Sequence, residues 1–168
     1  DILNGFMVSL LQKKLEPAGF ALVDLERWSA EMEFWFASHE VDLAGLDSLI
    51  CRHTLGGAAR PAINPGLLNG MIKGFIDLIA VHEGRYYVID YKSNWLGPDD
   101  EAYTPQSMGE AVLAERYDLQ YVLYLVALHR LLKLRLPGYT YERDVGGVLY
   151  RFLRGRAAHF ERPPRELI

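Results

Sequence analysis

Two apolar runs, Gly74-Phe75-Ile76-Asp77-Leu78-Ile79 and Tyr86-Tyr87-Val88-Ile89-Asp90-Tyr91-Lys92, flank the short turn His82-Glu83-Gly84-Arg85. Both runs are rich in β-branched and aromatic residues, and Gly84 is free to take a positive φ. The segment therefore reads as a β-hairpin. A two-residue loop at Glu83-Gly84 pairs 82 with 85, and the numbers of paired residues then always total 167. A four-residue loop closed by Val81 and Tyr86 keeps that total, whereas loops of three or five residues shift the register. With the total at 167, Asp77 lies directly opposite Asp90.

Directly opposed side chains share one face of a sheet, with Cβ atoms about 5 Å apart. Lys92, two residues beyond Asp90, shares that face. Two carboxylates and one ammonium thus meet on an otherwise apolar hairpin. Like charges this close repel each other and weaken the sheet. A divalent cation is the simplest reason for keeping them, because hard cations such as Mg²⁺ prefer carboxylate oxygens. A metal beside a lysine suits attack of water on a phosphodiester, with the lysine orienting the water or offsetting developing charge. Two plainer readings exist: one aspartate points to solvent at an edge, or Lys92 neutralises the pair as a salt bridge. The cross-strand register and apolar surroundings favour the metal site.

Around the hairpin, residues 2–15 read as an amphipathic helix ended by Pro17 and Gly19. Residues 30–37 read as an aromatic-rich strand and 43–51 as a short helix. Residues 54–70 hold Gly56, Gly57, Gly66, Gly70, Pro61 and Pro65 and read as a loop. Strands are expected over 71–81 and 85–93, a loop over 96–106, and a further strand over 146–153. Between the last two lies one long helix over 107–135, stopped by Pro137-Gly138. This order gives an α/β fold, a mixed sheet flanked by helices, in a single domain over 1–168. On the long helix Arg116, Gln120 and Tyr124 fall at i, i+4 and i+8 and share a face. They can respectively hold a phosphate, give directed hydrogen bonds and stack on a base. Tyr117 and Tyr121, on the adjacent stripe, read as core. Trp95, just past Lys92, is able to stack on a nucleotide, although an indole there is more often a packing anchor.

Half of the 168 residues are apolar and 24% are charged, which suits a globular domain and excludes a disordered tail or a collagen. Residues 130–168 carry nine Lys/Arg against four Asp/Glu, and residues 1–129 nine against eighteen. A basic end on an acidic body is compatible with an anionic partner held at one side, though an ordinary solvated surface explains the charge as well. The single cysteine, Cys51, allows no internal disulfide and fits a reducing compartment, most simply the cytoplasm. It reads as a small buried hydrophobe. Tyr121–Leu128, the longest apolar run, is far too short to span a membrane. The five histidines lack metal-ligand spacing. Gly56-Gly57 and Gly146-Gly147 lack the lysine of a phosphate loop, so ATP hydrolysis is not expected. The chain opens at Asp1 without methionine and stops shortly after Pro163-Pro164-Arg165-Glu166, as expected of a piece of a longer polypeptide.

Taken together, Gly74-Phe75-Ile76-Asp77, Ile89-Asp90-Tyr91-Lys92-Ser93-Asn94 and Gln120-Tyr121-x-x-Tyr124 resemble the PD-(D/E)xK nucleases of the RecB type. Arg116–Tyr121, Gly146-Gly147-Val148 and Glu31-Met32-Glu33-Phe34 extend the likeness over most of residues 28–156. The combined motif is specific, whereas Asp-x-Lys alone is weak. The resemblance implies a restriction-endonuclease-like core and a Mg²⁺-dependent DNA nuclease at the C-terminal end of a helicase polypeptide, with Mn²⁺ or Ca²⁺ able to substitute in binding. It implies Asp77, Asp90 and the Tyr91 carbonyl as metal ligands and Lys92 as the catalytic lysine. Gln120 and Tyr124 match the Gln-x-x-x-Tyr motif near the DNA, and Arg116 is taken with them. The implied partners are single-stranded DNA from unwound duplex, the helicase part of the same polypeptide, and RecC- and RecD-like subunits. In one respect the chain departs from the pattern: no histidine precedes the strand at Glu31–Phe36, so the family's histidine ligand is expected upstream of residue 1. A non-catalytic DNA-binding or docking module with the same fold is the alternative, and a stand-alone restriction-type endonuclease is a third reading. Intact Asp77, Asp90 and Lys92 argue against the former.

Overall fold

The computed structural model describes residues 2–155 and 157–168. Asp1, where the chain opens, and Arg156, the far end of the family likeness, lie outside them. Five strands form one mixed sheet: β1 (Arg27–Asp42), β2 (Leu67–His82), β3 (Arg85–Lys92), β4 (Val145–Phe152) and β5 (Ala157–Glu161), in that spatial order. Only β3 and β4 pair in parallel, and the other neighbours are antiparallel. A parallel pair needs a long crossover. Residues 93–144 supply it through α3 (Pro105–Ala114), α4 (Tyr117–Arg135) and the one-turn α5 (Tyr141–Asp144). α1 (Ile2–Gln12) precedes the sheet and α2 (Leu43–His53) joins β1 to the loop before β2.

Local chemistry sets these boundaries. Asp42 ends β1 and caps α2, its carboxylate accepting the Ala44 and Gly45 N–H groups, both at 3.1 Å. Thr104 caps α3 by accepting the Ser107 N–H at 3.1 Å, with Pro105 in the first turn. α4 buries Tyr121, Val122, Leu125, Leu128 and Leu132 against the face of the sheet built by Ile79, Val88, Val148, Tyr150 and Phe152. Each fully buried side chain of this kind contributes roughly 1.5–3 kcal/mol. Leu15 and Phe20 cover the opposite face, over Leu78, Ala80, Tyr87, Ile89 and Leu149. Among the described residues no helix is long and apolar enough to cross a membrane.

The α/β architecture agrees with the sequence, and its departures have physical causes. The helix expected over 107–135 is two helices, because Arg116 adopts the left-handed conformation (φ 55°, ψ 35°) between α3 and α4. β1 and β2 each run for 16 residues, so β2 begins inside the stretch read as a loop. Only their Arg27–Val81 ends lie beside β3, and the remainder forms a two-stranded ribbon under α4. α1 stops at Gln12 rather than residue 15. α5 and β5 were not anticipated: one is a single turn, and every residue of the other is half-buried, leaving no alternation to read. Cys51 is half-buried rather than buried, and its thiol donates to Asp47 Oδ1 at 3.6 Å. Gly147 takes φ 138° where an added Cβ would press on the Phe160 ring and the Glu161 carbonyl. The Gly146-Gly147 pair is thus a packing feature of β4.

Candidate active site

The hairpin has the expected register. Leu78 pairs with Ile89, Ile79 with Val88, and so on to His82 with Arg85. Glu83 (φ 48°) and Gly84 (φ 72°) form the turn, both in the left-handed region that a two-residue hairpin loop of type I′ requires. The ladder stops at Leu78 and Ile89. One step beyond, where Asp77 would face Asp90, the main chains part. There the Asp77 Oδ2 accepts the Tyr91 N–H at 3.0 Å in place of a backbone carbonyl. On its other side Asp77 falls opposite Glu31, which the β1–β2 ladder also skips and which holds φ 52°. A non-glycine residue held there costs on the order of 1 kcal/mol and marks a site that the surroundings enforce. The pleat inverts at this point. Met32, Phe34, Phe36, Ile72 and Ile76 face the helical layer, while Ala30 and Leu78 face the other side of the sheet.

Asp90 and Lys92 point into the helical side, 4% and 7% exposed. Lys92 Nζ lies 2.7 Å from Asp90 Oδ2 and donates to Gln120 Oε1 at 2.7 Å. It also sits 3.7 Å from the centre of the Tyr117 ring and 4.6 Å from that of Tyr150, within cation–π range of both. The Tyr150 hydroxyl donates to the Tyr117 carbonyl at 2.7 Å and lies 3.1 Å from Gln120 Oε1. Gln120 Nε2 in turn donates to the Tyr124 hydroxyl at 2.7 Å. The salt bridge weighed as a plainer reading is therefore present, but it neutralises only one of the two carboxylates.

Burial pushes the Asp90 carboxyl above the usual carboxylate range; Lys92 opposes this, Asp77 adds to it, and the Tyr124 hydroxyl opposes it. Burial, then Asp90 and Asp77, push the Tyr124 phenol up. Asp90 Oδ2 has Lys92 Nζ as its ionic partner at 2.7 Å. This single ammonium faces two carboxylates, Asp90 and Asp77. Two hard carboxylates so placed fit a hard divalent cation. Among the described residues no cluster of three His, Cys, Asp or Glu forms a ready-made metal centre.

The structure thus brings Asp77, Asp90, Lys92, Gln120 and Tyr124 together, with Tyr91 between the two acids and the lysine. It does not bring Arg116 there. Arg116 Nη1 donates to the Pro61 carbonyl at 2.6 Å, Nη2 to Asp47 at 2.6 Å and Nε to Asp118 at 3.0 Å. Asp118 is fully buried and also pairs with Arg60 at 2.8 Å. The stripe drawn through Arg116 along one helix face does not exist, since Arg116 precedes the helix. Three residues were missed. Tyr117 was read as core yet carries Lys92 on its ring. Tyr150 sits beside Asp90 through the β3–β4 register, which no local pattern reveals. Glu31 was noticed only within a familiar-looking stretch. Tyr121 is core as expected, whereas Trp95 is 67% exposed rather than packed in the core.

A buried Asp-x-Lys on a strand, a second aspartate one strand over and a helix closing above them are the features of one class of nuclease core. Residues 3–166 match the PD-(D/E)XK nuclease superfamily, and the chain belongs to it. It is 47% identical over 157 residues to the RecBCD enzyme subunit RecB of Escherichia coli (strain K12), covering 92% of this chain and 13% of that protein. It is 38% identical to RecB of Haemophilus influenzae over 89% of this chain and 13% of that protein. RecB of Mycobacterium tuberculosis (strain H37Rv) is 38% identical over 70% and 12% respectively. The chain therefore spans about one eighth of these curated relatives.

Proposed function

We propose that this chain is the nuclease domain of a RecBCD-type helicase–nuclease, a Mg²⁺-dependent enzyme that hydrolyses phosphodiester bonds of unwound DNA in double-strand break repair and recombination. The observation that carries this reading is the buried Asp90–Lys92 pair held beside a second carboxylate, Asp77. In this reading residues 1–168 form one domain of a larger cytoplasmic polypeptide. DNA, the helicase part of that polypeptide, and RecC- and RecD-like subunits are its partners.

Asp77, Asp90 and the Tyr91 carbonyl would hold the ion, with Mn²⁺ or Ca²⁺ able to replace Mg²⁺ in binding. When bound, a divalent ion offsets phosphate charge and lowers the pKa of water. Lys92 orients the attacking water or meets the charge that builds on the phosphate, from a position fixed by Gln120 and the Tyr117 ring. Gln120 and Tyr124 lie where DNA enters and hold each other by one hydrogen bond. Arg116 acts on this surface only indirectly, by fixing the start of the helix that carries Gln120 and Tyr124. Water adds to phosphorus and one phosphoester bond breaks.

The test is cleavage of linear single-stranded DNA with Mg²⁺ by this chain and by Asp90→Ala. Cleavage that the substitution abolishes supports the reading. Cleavage that persists in Asp90→Ala refutes the assignment of the site. No cleavage by either chain, with an N-terminally extended chain also inactive, leaves the non-catalytic docking module as the function.

A further inference from the structure

A cavity of about 370 Å³ opens on the face of the sheet opposite Asp90 and Lys92. Leu11, Leu22, Leu25 and Leu78 give it apolar walls, and Tyr91 and Trp28 add aromatic surface. Among the described residues Asp77 is the one charged group on its lining, at the point where β2 and β3 part. The cavity and the carboxylate cluster therefore meet at Asp77, across the end of the sheet. The volume falls in the range of small-ligand sites, which are mostly apolar with few polar groups.

Trp28 makes the cavity more than a packing gap. It lies opposite Ala80 in the β1–β2 ladder, and the residue is 68% exposed. A large aromatic ring left in water beside an apolar recess offers a stacking surface. Every nucleobase has a π face, so an aromatic ring accepts bases without regard to sequence. The pleat inversion at Glu31 and Asp77 is what aims Trp28 and Ala30 into this recess. Had the alternation of Met32, Phe34 and Phe36 continued, both would face the helical layer instead.

We propose that this cavity receives one unstacked nucleobase of the DNA strand, stacked on Trp28, and so sets the position of the neighbouring phosphodiester at Asp77. The proposal rests on the nuclease reading and deepens it: the strand is held by a base next to the site of cleavage as well as by its phosphates. It also requires a single-stranded substrate, because a paired base cannot leave the duplex to enter the recess without unstacking.

The experiment compares a dT oligonucleotide with one of equal length whose residues are all abasic. Affinities are measured by fluorescence anisotropy without divalent ions. The chain and its Trp28→Ala and Trp28→Phe variants are compared, with thermal melting confirming that each is folded. One stacked base is expected to strengthen binding about five- to a hundredfold. The preference for dT over the abasic strand should fall by that factor in Trp28→Ala and be largely kept in Trp28→Phe. An unchanged preference in folded Trp28→Ala overturns the proposal, as would equal loss in Trp28→Phe or failure to bind either oligonucleotide. Mg²⁺-dependent cleavage lost in Asp90→Ala, alongside an unchanged preference, removes the base pocket and leaves the nuclease standing. Absence of cleavage counts against the nuclease reading alone.

Discussion

Removing the charge of Lys92 should destabilise the metal-free protein, and removing that of Asp90 as well should restore much of the loss. Lys92→Met strands a carboxylate that is 4% exposed, beside Asp77. Breaking a buried pair by deleting one partner costs about 3–5 kcal/mol. The stranded carboxyl can take up a proton, so the expectation is the low end, about 3 kcal/mol. For a chain of this size that is a fall in Tm of about 6–12 °C. Asp90→Asn leaves Lys92 its hydrogen bond to Gln120 and its place over the Tyr117 and Tyr150 rings, and should cost less. The double variant leaves neither charge and should be more stable than Lys92→Met, with a coupling of about 2 kcal/mol or more. The pH dependence has a definite sign. The folded Asp90 carboxyl lies above its unfolded value, chiefly through burial, so between the two values the native state binds the extra proton. The stability this gives is full below the ordinary carboxylate range, near pH 4, and is lost as the pH rises through the raised value. Lys92→Met should steepen that decline and Asp90→Asn should lack it. The assay is urea denaturation in EDTA from pH 4 to 8. Single-variant losses that simply add in the double, within about 0.5 kcal/mol, would refute the ion pair as described.

Arg116→Ala should lower stability by about 3 kcal/mol in denaturant titration, because it leaves the buried Asp118 with Arg60 alone and frees the Pro61 loop. A loss below about 1 kcal/mol would contradict that network. Arg151 is fully buried; among the described residues its Nε and Nη1 have no hydrogen-bond partner, and Nη2 donates to the Leu10 carbonyl at 3.2 Å. Arg151→Met should therefore be neutral or stabilising by about 1–2 kcal/mol, and a destabilisation would show a partner for the guanidinium. Mg²⁺ at a hundredfold its Kd should stabilise the chain by about 2.7 kcal/mol, seen as a higher Tm, and Asp77→Asn should remove the effect. An equal shift in both would place the ion elsewhere.

The parts of the fold that were legible are those with a local cause. The register of Leu78 to His82 against Arg85 to Ile89 follows from a two-residue turn and from apolar side chains on a buried hairpin. α2, read as a short helix over 43–51, also has a local cause, the Asp42 cap that the structure shows. The break in the expected long helix was not legible. No Pro or Gly sits near Arg116, and the left-handed residue is stabilised by Asp47 and the Pro61 carbonyl, both more than fifty residues away. β5 was illegible for a similar reason: it is held by pairing with β4, not by a pattern of its own.

The site divides along the same line. Asp77, Asp90 and Lys92 were found from parity and register alone, yet the geometry that makes them useful comes from a failure of regularity. Were the ladder to continue one more step, the Tyr91 N–H would bond to a backbone carbonyl of β2 rather than to the Asp77 carboxylate. It stops because the pleat of β1 and β2 inverts at Glu31 and Asp77, a feature with no signature in a run such as Ala30-Glu31-Met32-Glu33. The same inversion opens the recess beside Trp28. Ordered strands before and after this point fix the acids in place, and the interruption between them leaves Asp77 reachable from both faces. A variant that restored regular pairing there, such as Glu31→Val, should gain strand character and lose the alignment of Asp77 with Asp90. Its Mg²⁺-induced rise in Tm should shrink while its metal-free stability holds or increases by about 1 kcal/mol. An undiminished Mg²⁺ effect in that variant would show that the broken ladder is incidental to the site.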